Sequence, residues 1–409
     1  MRILLITQYF WPEPFRINDL VAAWRAEQHD VTVLTGLPNY PAGRLYHGYS
    51  MLGPYRETYE AARVRRLPVL TRGPRRGFRL VLNYFCFVIL GVLLGPLVAR
   101  RRYDVVFVYA PSPVTQCIPA ITLKFLKRSP VVLWLQDLWP DTLVSVGALR
   151  ADSSPFRLIS RLCRWIYRHC DLVLVQSAAL VDGVRRVCPE VPNLKVLVNW
   201  ADDFYRPQTV EADAPERREV PSGFTIMFAG NLGSSQALEI AIAAAEILRD
   251  EGVRWVFIGD GNQREFLEHE RRARGLDNVV SLLGSRPAAA MPRYLSLADA
   301  LLVSLRPDPA FASTVPAKLQ SSLAVGRPVL AALDGEGARI VREAEAGVVV
   351  AQDDAKALAD GARMLLRAQP ADRARMGANG RKYAAEHFDR SRLVAQLDQW
   401  MRDIAGVHA

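Results

Sequence analysis

The run STVPAKLQSSLAVGRPVLAALDGEG, residues 313–337, decides how this chain is read. It begins as a polar loop, opens a helix at Pro316, closes at Gly326-Arg327-Pro328 and continues into a buried strand over 329–333. A loop feeding a helix N-terminus leaves several backbone N–H groups without intrahelical partners, and such a place can hold a phosphate. Lys318 falls in the first helical turn, where the helix dipole disfavours a cation unless an anion comes to it. An ordinary αβ unit with a surface lysine has the same letters, so the choice rests on the rest of the chain.

Outward from this run, short apolar segments alternate with helix-length segments. Strands are predicted at 2–7 (RILLIT), 30–35 (DVTVLT), 62–69, 104–109 (DVVFVY), 130–137 (PVVLWLQD), 171–177 and 195–199. After a polar, proline-containing stretch at 206–221 the alternation restarts at 224–230, 255–261, 279–284, 300–305, 328–333 and 347–351. Buried runs of four to six residues separated by helices indicate parallel sheets covered on both faces. The class is therefore α/β, with two Rossmann-like, doubly wound domains facing a cleft. Residues 1–205 form the first domain, 206–221 the linker and 222–385 the second. The helical tail at 386–409 is expected to pack back on the first.

The length of 409 residues suits two domains, and 50% hydrophobic with 23% charged residues is a globular composition. Met1 leads directly into a strand without a cleavage pattern. The five cysteines show no C-x-x-C spacing, so reduced thiols in a cytoplasmic protein are expected. The net charge of +10 is concentrated. Residues 61–103 hold ten arginines (Arg63, Arg65, Arg66, Arg72, Arg75, Arg76, Arg79, Arg100, Arg101 and Arg102) and no acid. Between the arginine groups runs LVLNYFCFVILGVLLGPLVA, residues 80–99. Three placements are open for it: a helix buried between strands, a helix on an anionic membrane face with its arginines at the headgroups, and a transmembrane span. Asn83, Gly91, Gly95 and Pro96 and the arginines at both ends argue against the span. No aromatic platform accompanies the arginines, which argues against nucleic acid.

Chemistry is expected at the strand ends. FAGNLGSSQALE (228–239) is a strand, a Gly-x-x-Gly turn and a helix start, where Gly230 and Gly233 let the backbone approach a ligand. FIGDG (257–261) repeats this with Gly259, Asp260 and Gly261, and LLGSR (282–286) offers Gly284, Ser285 and Arg286. In the first half TQYFWPEPFRINDL (7–20) contains no G-x-G-x-x-G, which argues against a dinucleotide there. Glu13, Arg16 and Asn18 suit a hydroxyl-rich acceptor, although Asn18 also reads as a helix cap. The aromatic loop 36–49, with Asn39 and Tyr40, and the strand end LQDLWPD (135–141), with Gln136, Asp137 and Trp139, complete the candidates.

In their order these motifs resemble retaining glycosyltransferases of family 4. FAGNLGSSQALE, FIGDG, NVVSLLG and VPAKLQSSLAVGRPVLAALDGEGARIVREAEAGVVV are similar to the family's donor domain. ITQYFWPEP, TGLPNYPAG, YDVVFVYAPSP, WLQDLWPD and VLVNWADDFYRP resemble the N-terminal domain of bacterial L-fucosamine and colanic-acid fucosyl transferases, which build O-antigens, capsules and exopolysaccharides. The resemblance implies a GT-B fold with a nucleotide-sugar held mainly by the second domain. It implies no metal, and no D-x-D strand end is present. Gly230, Asn231, Leu232 and Gly233 would lie against the diphosphate and sugar. Gly259 to Gly261 would line the nucleotide, and Gly284 to Arg286 would meet the base. Thr314 and Val315 would offer N–H groups to the diphosphate beside Lys318.

The chain departs from the family pattern in three places. Ser313 and Ser321 stand at the spacing of a Glu-x7-Glu pair. Asn231 and Gln236 replace an arginine and a lysine, and Gln136, followed by Asp137, replaces a histidine. The implied reaction is a front-face displacement with retention, in which Lys318 and the helix N-terminus stabilise the departing diphosphate and Asp137 orients the acceptor hydroxyl or stabilises positive charge near the sugar; Asp137 also reads as a structural cap. The donor is expected to be a UDP-linked N-acetyl or deoxy sugar, with a GDP-sugar as the other choice, and no further cofactor. The acceptor is expected to be polyprenyl-diphosphate-linked, placing the chain peripherally on the inner face of a bacterial plasma membrane through segment 63–102. Two other classes share the features: a non-hydrolysing nucleotide-sugar epimerase and a non-catalytic nucleotide-sugar binder.

Overall fold

A computed structural model of the chain describes residues 1–73 and 77–406; Arg75 and Arg76 lie outside them. The chain divides into two compact units, Met1–Leu197 with the segment from Ser391 on, and Val198–Arg390. The first is built on eight strands: β1 (Arg2–Ile6), β2 (Asp30–Gly36), β3 (Arg56–Tyr59), β4 (Ala62–Leu67), β5 (Val105–Ala110), β6 (Val131–Leu135), β7 (Leu172–Val175) and β8 (Leu194–Val196). Their order is β3-β4-β2-β1-β5-β6-β7-β8, all parallel except β3 against β4. The second unit orders β9 (Phe224–Ala229), β10 (Val253–Ile258), β11 (Val280–Gly284), β12 (Ala300–Ser304), β13 (Val329–Ala332) and β14 (Gly347–Val350) as β11-β10-β9-β12-β13-β14, all parallel. The near-continuous apolar strands follow from helices covering both faces of each sheet. Strand order reverses between β1 and β5, and again between β9 and β12. Open α/β sheets bind ligands beyond the carboxyl ends of their strands at such points.

Three details differ from the expected layout. The 62–69 segment is one arm of a β3–β4 hairpin, whose turn residues Glu60 and Ala61 both take positive φ (46° and 60°). The boundary between units falls after Leu197, not after 205, and residues 206–221 are not a free linker. Arg293 holds Glu211 and Glu216, Arg286 holds Glu219, and Gln208 N–H donates to Ser296 Oγ at 2.9 Å. These contacts fix the stretch, including its short helix Pro215–Glu219, onto the second unit.

The apolar run forms the helix Phe78–Val98. Its buried residues Asn83, Phe87, Gly91 and Gly95 recur every four positions and so share one face. A Cβ on Gly91 would stand 2.6 Å from Pro119 Cγ, so glycine lets the helix lie against Pro119. The other side leaves Phe78, Phe85, Ile89, Leu93 and Leu97 more than half exposed. The helix is therefore not a core helix. At the far end of the first unit, the C-terminal helix Arg390–Ala405 is tied in by Asp398, which accepts from Trp24 Nε1 at 2.9 Å and pairs with buried His29 Nε2 at 2.5 Å.

Candidate functional site

The reversal between β9 and β12 is where the second unit gathers its candidate residues. β9 is followed by Gly230, whose N–H donates to Ile258 O at 2.9 Å. Gly259 N–H donates to Gly284 O at 3.0 Å, and Leu232 N–H to Asp260 O at 2.8 Å. Gly259 has φ 143°, and a Cβ there would stand 1.8 Å from Gly230 O. Glycine at 259 is thus required by the neighbouring strand end itself. Gly230 is different. Its φ is 142°, and the only heavy atom near a Cβ at that position would be Lys318 Cε at 4.0 Å. Open space stands in front of Gly230, with Lys318 on its border.

The turn Ser234–Gln236 is fixed from β12. Ser304 Oγ donates to Gln236 O at 2.7 Å, Arg306 N–H to Ser235 O at 2.9 Å, and Arg306 Nε to Ser234 O at 2.6 Å. Three successive carbonyls are held this way, and the Gln236 side chain is brought to Lys318, whose ammonium donates to its Oε1. Lys318 Nζ also sits 4.1 Å from the centroid of the Phe228 ring. No carboxylate pairs with it among the described residues. Burial pushes its ammonium down to about 7, because a charge removed from water without a counter-ion is disfavoured.

The helix carrying Lys318 is Ala317–Val325, preceded by Pro316 and closed by Gly326 at φ 75°. Thr314 N–H is already donated to Phe311 O at 3.1 Å, which leaves Val315 N–H of the expected pair. Ser321 Oγ turns back to Lys318 O at 3.1 Å, so its hydroxyl is spent on its own helix. Ser313 is half-buried at the opening of this loop. The Asn231 side chain lies over Gly233 and Gly261, and Asp260 Oδ1 accepts the Gly261 N–H at 2.8 Å. Leu232 is buried. Arg286, placed next to Gly284 and Ser285, is engaged by Glu219 at 2.6 Å and Tyr294 Oη at 3.1 Å.

In the first unit the candidates lie beyond β1, β2 and β6. Glu13 is buried, and its carboxylate gathers three backbone N–H groups: Asn39 at 2.8 Å, Tyr40 at 2.7 Å and Phe10 at 3.1 Å. Burial nevertheless lifts it to about 7. Asn39 is spent internally, donating to Leu37 O at 2.8 Å and accepting from Arg72 N–H at 3.0 Å. The Tyr40 ring packs on Tyr9 and Phe15, with the Arg72 guanidinium 5.0 Å from its centroid. Arg16 opens the first helix. Gln136 N–H donates to Ala110 O, and its own carbonyl accepts from Gln176 Nε2. Asp137 is lifted to about 6 by burial and lies near Tyr109, whose hydroxyl also feels Arg16. A group of potential metal-ligating side chains, Glu27, His29 and Asp398, lies elsewhere, where Asp398 already ties in the C-terminal helix.

Two family models match this chain. Residues 15–200 fit the "Glycosyl transferase 4-like domain" and residues 223–368 fit "Glycosyl transferases group 1". The chain belongs to the glycosyltransferases. Its two parallel-sheet units are those of the GT-B fold. The transferase is 27% identical over 339 residues to the putative colanic acid biosynthesis glycosyl transferase WcaI of Escherichia coli (strain K12), covering 80% of this chain and 82% of that one. It is 27% identical over 291 residues to the probable glycosyltransferase WbjE of Pseudomonas aeruginosa, covering 69% and 70%. Anabaena Alr3699/HepE, solved in complex with UDP, superposes with a TM-score of 0.72 at 18% identity over 98% of this chain and all of that one.

Sequence reasoning missed the elements of the transferase that act across the fold. Ser304 and Arg306 hold the turn that presents Gln236, Phe228 lies under the Lys318 ammonium, and Tyr109 accompanies Asp137. Only strand ends and glycines carried a local signal; these partners lie on other strands, as with Ser304 and Gln236, 68 residues apart.

Proposed function

We propose that this chain moves a sugar, with retention, from a UDP-linked donor to a polyprenyl-diphosphate-linked acceptor during surface-polysaccharide assembly. The observation that carries this is the Lys318 ammonium, desolvated, without a carboxylate, on the border of the open space before Gly230. A cation so placed lacks an anion, and a diphosphate supplies one. As the C1–O bond breaks, negative charge grows on the departing diphosphate, and Lys318 with the Val315 N–H counters it. Asp137, in its ionised form, orients the incoming hydroxyl. The names of the relatives, and the solved UDP-glucose complex of HepE, support a nucleotide-sugar donor and a polysaccharide role. No metal is assigned a part.

The outward face of the helix Phe78–Val98, with Arg79 in its first turn and Arg100, Arg101 and Arg102 after it, favours the inner membrane face. Apolar side chains meet acyl chains there and guanidinium groups meet anionic headgroups. The packing of Phe87, and of Gly91 against Pro119, favours a helix lying on the membrane over one that spans it.

The test is Lys318→Ala, assayed with a panel of UDP- and GDP-sugars and extracted lipid-linked acceptor. Transfer should fall by about 10²-fold or more. Undiminished transfer contradicts the proposal, and epimer formation from UDP-GlcNAc without acceptor points to an epimerase instead. Flotation on anionic vesicles at low salt, lost at raised salt, checks the membrane part.

A further inference from the structure

The helix Phe78–Val98 is apolar outward, yet two polar residues of its second turn, one buried and one half-buried, bond into the protein. Asn83 is fully buried. Its Oδ1 accepts from Gln8 Nε2 at 2.6 Å, and its Nδ2 donates to Leu70 O. The next residue, Tyr84, hydrogen-bonds the Tyr9 hydroxyl. Consecutive helix residues thus hold consecutive residues at the end of β1. Gln8 is further joined to β5's far side through Gln116 Oε1, which accepts its N–H at 2.8 Å. Tyr9 stacks on Phe15 at 5.2 Å and meets Tyr40 at 5.5 Å. The segment leading to the helix closes the same circuit, because Arg72 N–H donates to Asn39 Oδ1 and Gly73 N–H to Gly43 O at 3.1 Å. The two loops that carry Glu13 and Asn39–Tyr40 are therefore hydrogen-bonded to this helix or to the residues just before it.

Two further observations point to a working part beyond a structural brace. Asparagine in an otherwise apolar helix is a weak choice for stability where leucine would pack. Gln8 Oε1 is buried without a donor, so the junction is incompletely satisfied, as polar networks at functional sites often are. On the outward side of these same turns stand Phe78, Val81, Leu82 and Phe85, all exposed.

We propose that Asn83 and Tyr84 couple membrane docking to the acceptor site: insertion of the outward face of the helix Phe78–Val98 into an anionic bilayer steadies the Gln8–Phe15 and Asn39–Tyr46 loops through these hydrogen bonds. The occupant is a lipid surface, chosen by the apolar face and the arginines bordering it. Asn83 and Tyr84 are positioning residues; they touch no substrate. The inference rests on the acceptor reading of these loops given above. Its physical content is a two-state difference in order, biased by lipid.

The experiment reads backbone order, so it does not depend on turnover. Hydrogen–deuterium exchange is followed in the full chain, alone and on vesicles of equal parts phosphatidylethanolamine and phosphatidylglycerol. Wild type on vesicles should show exchange at residues 8–15 and 37–46 slowed about tenfold, by suppression of local opening. Asn83→Leu, which makes the helix more apolar, should still float with the vesicles but lose that slowing, and Tyr84→Phe should lose part of it. If Asn83→Leu does not fold, Tyr84→Phe alone decides. Protection of these loops that is equal in wild type and variants, or absent in vesicle-bound wild type, overturns the coupling. Transfer assays on the same samples separate the two ideas. Absence of transfer in wild type with loop protection intact would refute the transferase reading and leave the coupling standing.

Discussion

Glu13 in the first unit and Lys318 in the second are buried ionisable groups brought to about the same value, near 7, from opposite directions. Desolvation acts on both. The Glu13 carboxylate is surrounded by donors that the chain itself supplies, the N–H groups of Phe10, Asn39 and Tyr40. Lys318 has a neutral amide, an aromatic face and open space. A charge satisfied by its own backbone is architecture; a charge left without its opposite is waiting for a ligand. That contrast separates the two groups where burial and pKa alone do not.

The sharpest way to break it is to remove each charge. Lys318→Ala should reduce transfer by about 10²-fold or more without lowering thermal stability, since no protein counter-charge is left behind. Glu13→Gln should do the reverse. The amide turns an N–H toward backbone donors, costing about 2 kcal/mol, so a calorimetric scan should show the first unit melting about 5 °C lower. If Glu13→Gln left the melting temperature unchanged and abolished transfer, Glu13 would belong with the chemistry.

Linkage gives a subtler distinction. Lys318 releases its proton near 7 in the fold, against an ordinary value of 10.5. Between these values the unfolded chain binds more protons, so the stability contribution rises with pH across that window. Lys318→Met should therefore be more stable than wild type at pH 7, with the gap closing toward pH 10. Glu13 is raised from 4.5, so its contribution falls as pH climbs from there to about 7. Urea midpoints of the paired variants against pH would show slopes of opposite sign; slopes of the same sign would remove the contrast. The smallest effect belongs to Ser321→Ala, which should change transfer by less than about twofold, because its hydroxyl is turned to Lys318 O and leaves only a weak helix bond to lose. A large loss there would mean the serine reaches the substrate after all.

How much of this could be read from letters alone follows the range of the interactions. Buried strands announce themselves through runs such as RILLI and VVFVYA, and both sheets were legible from them. Gly230 and Gly259 were legible as strand-end glycines, but not their different reasons, since Gly259 answers to a carbonyl brought in from β9. The β3–β4 hairpin was hidden because its turn is Glu60-Ala61, without the Asn-Gly signal that positive φ usually demands. The boundary at Leu197 was hidden because residues 206–221 look like a linker until Arg286 and Arg293 are seen to hold them. Lys318 was legible as an oddity in a first turn. That it meets Gln236, where the family resemblance leads one to expect a lysine, depends on a contact spanning 82 positions. The same holds for Asn83 and Gln8, 75 apart, which only the fold brings together.

The central claim is that Lys318 awaits a diphosphate, and proton uptake tests it directly. UDP is titrated into the full chain at pH 8.5 by calorimetry in buffers of different ionisation enthalpy. Lys318 is largely neutral there in the free protein and becomes charged when the diphosphate arrives. Wild type should therefore take up close to one proton per UDP bound, about 0.9, and Lys318→Met should take up none. Binding without proton uptake in wild type, or the same uptake in the variant, would contradict the account.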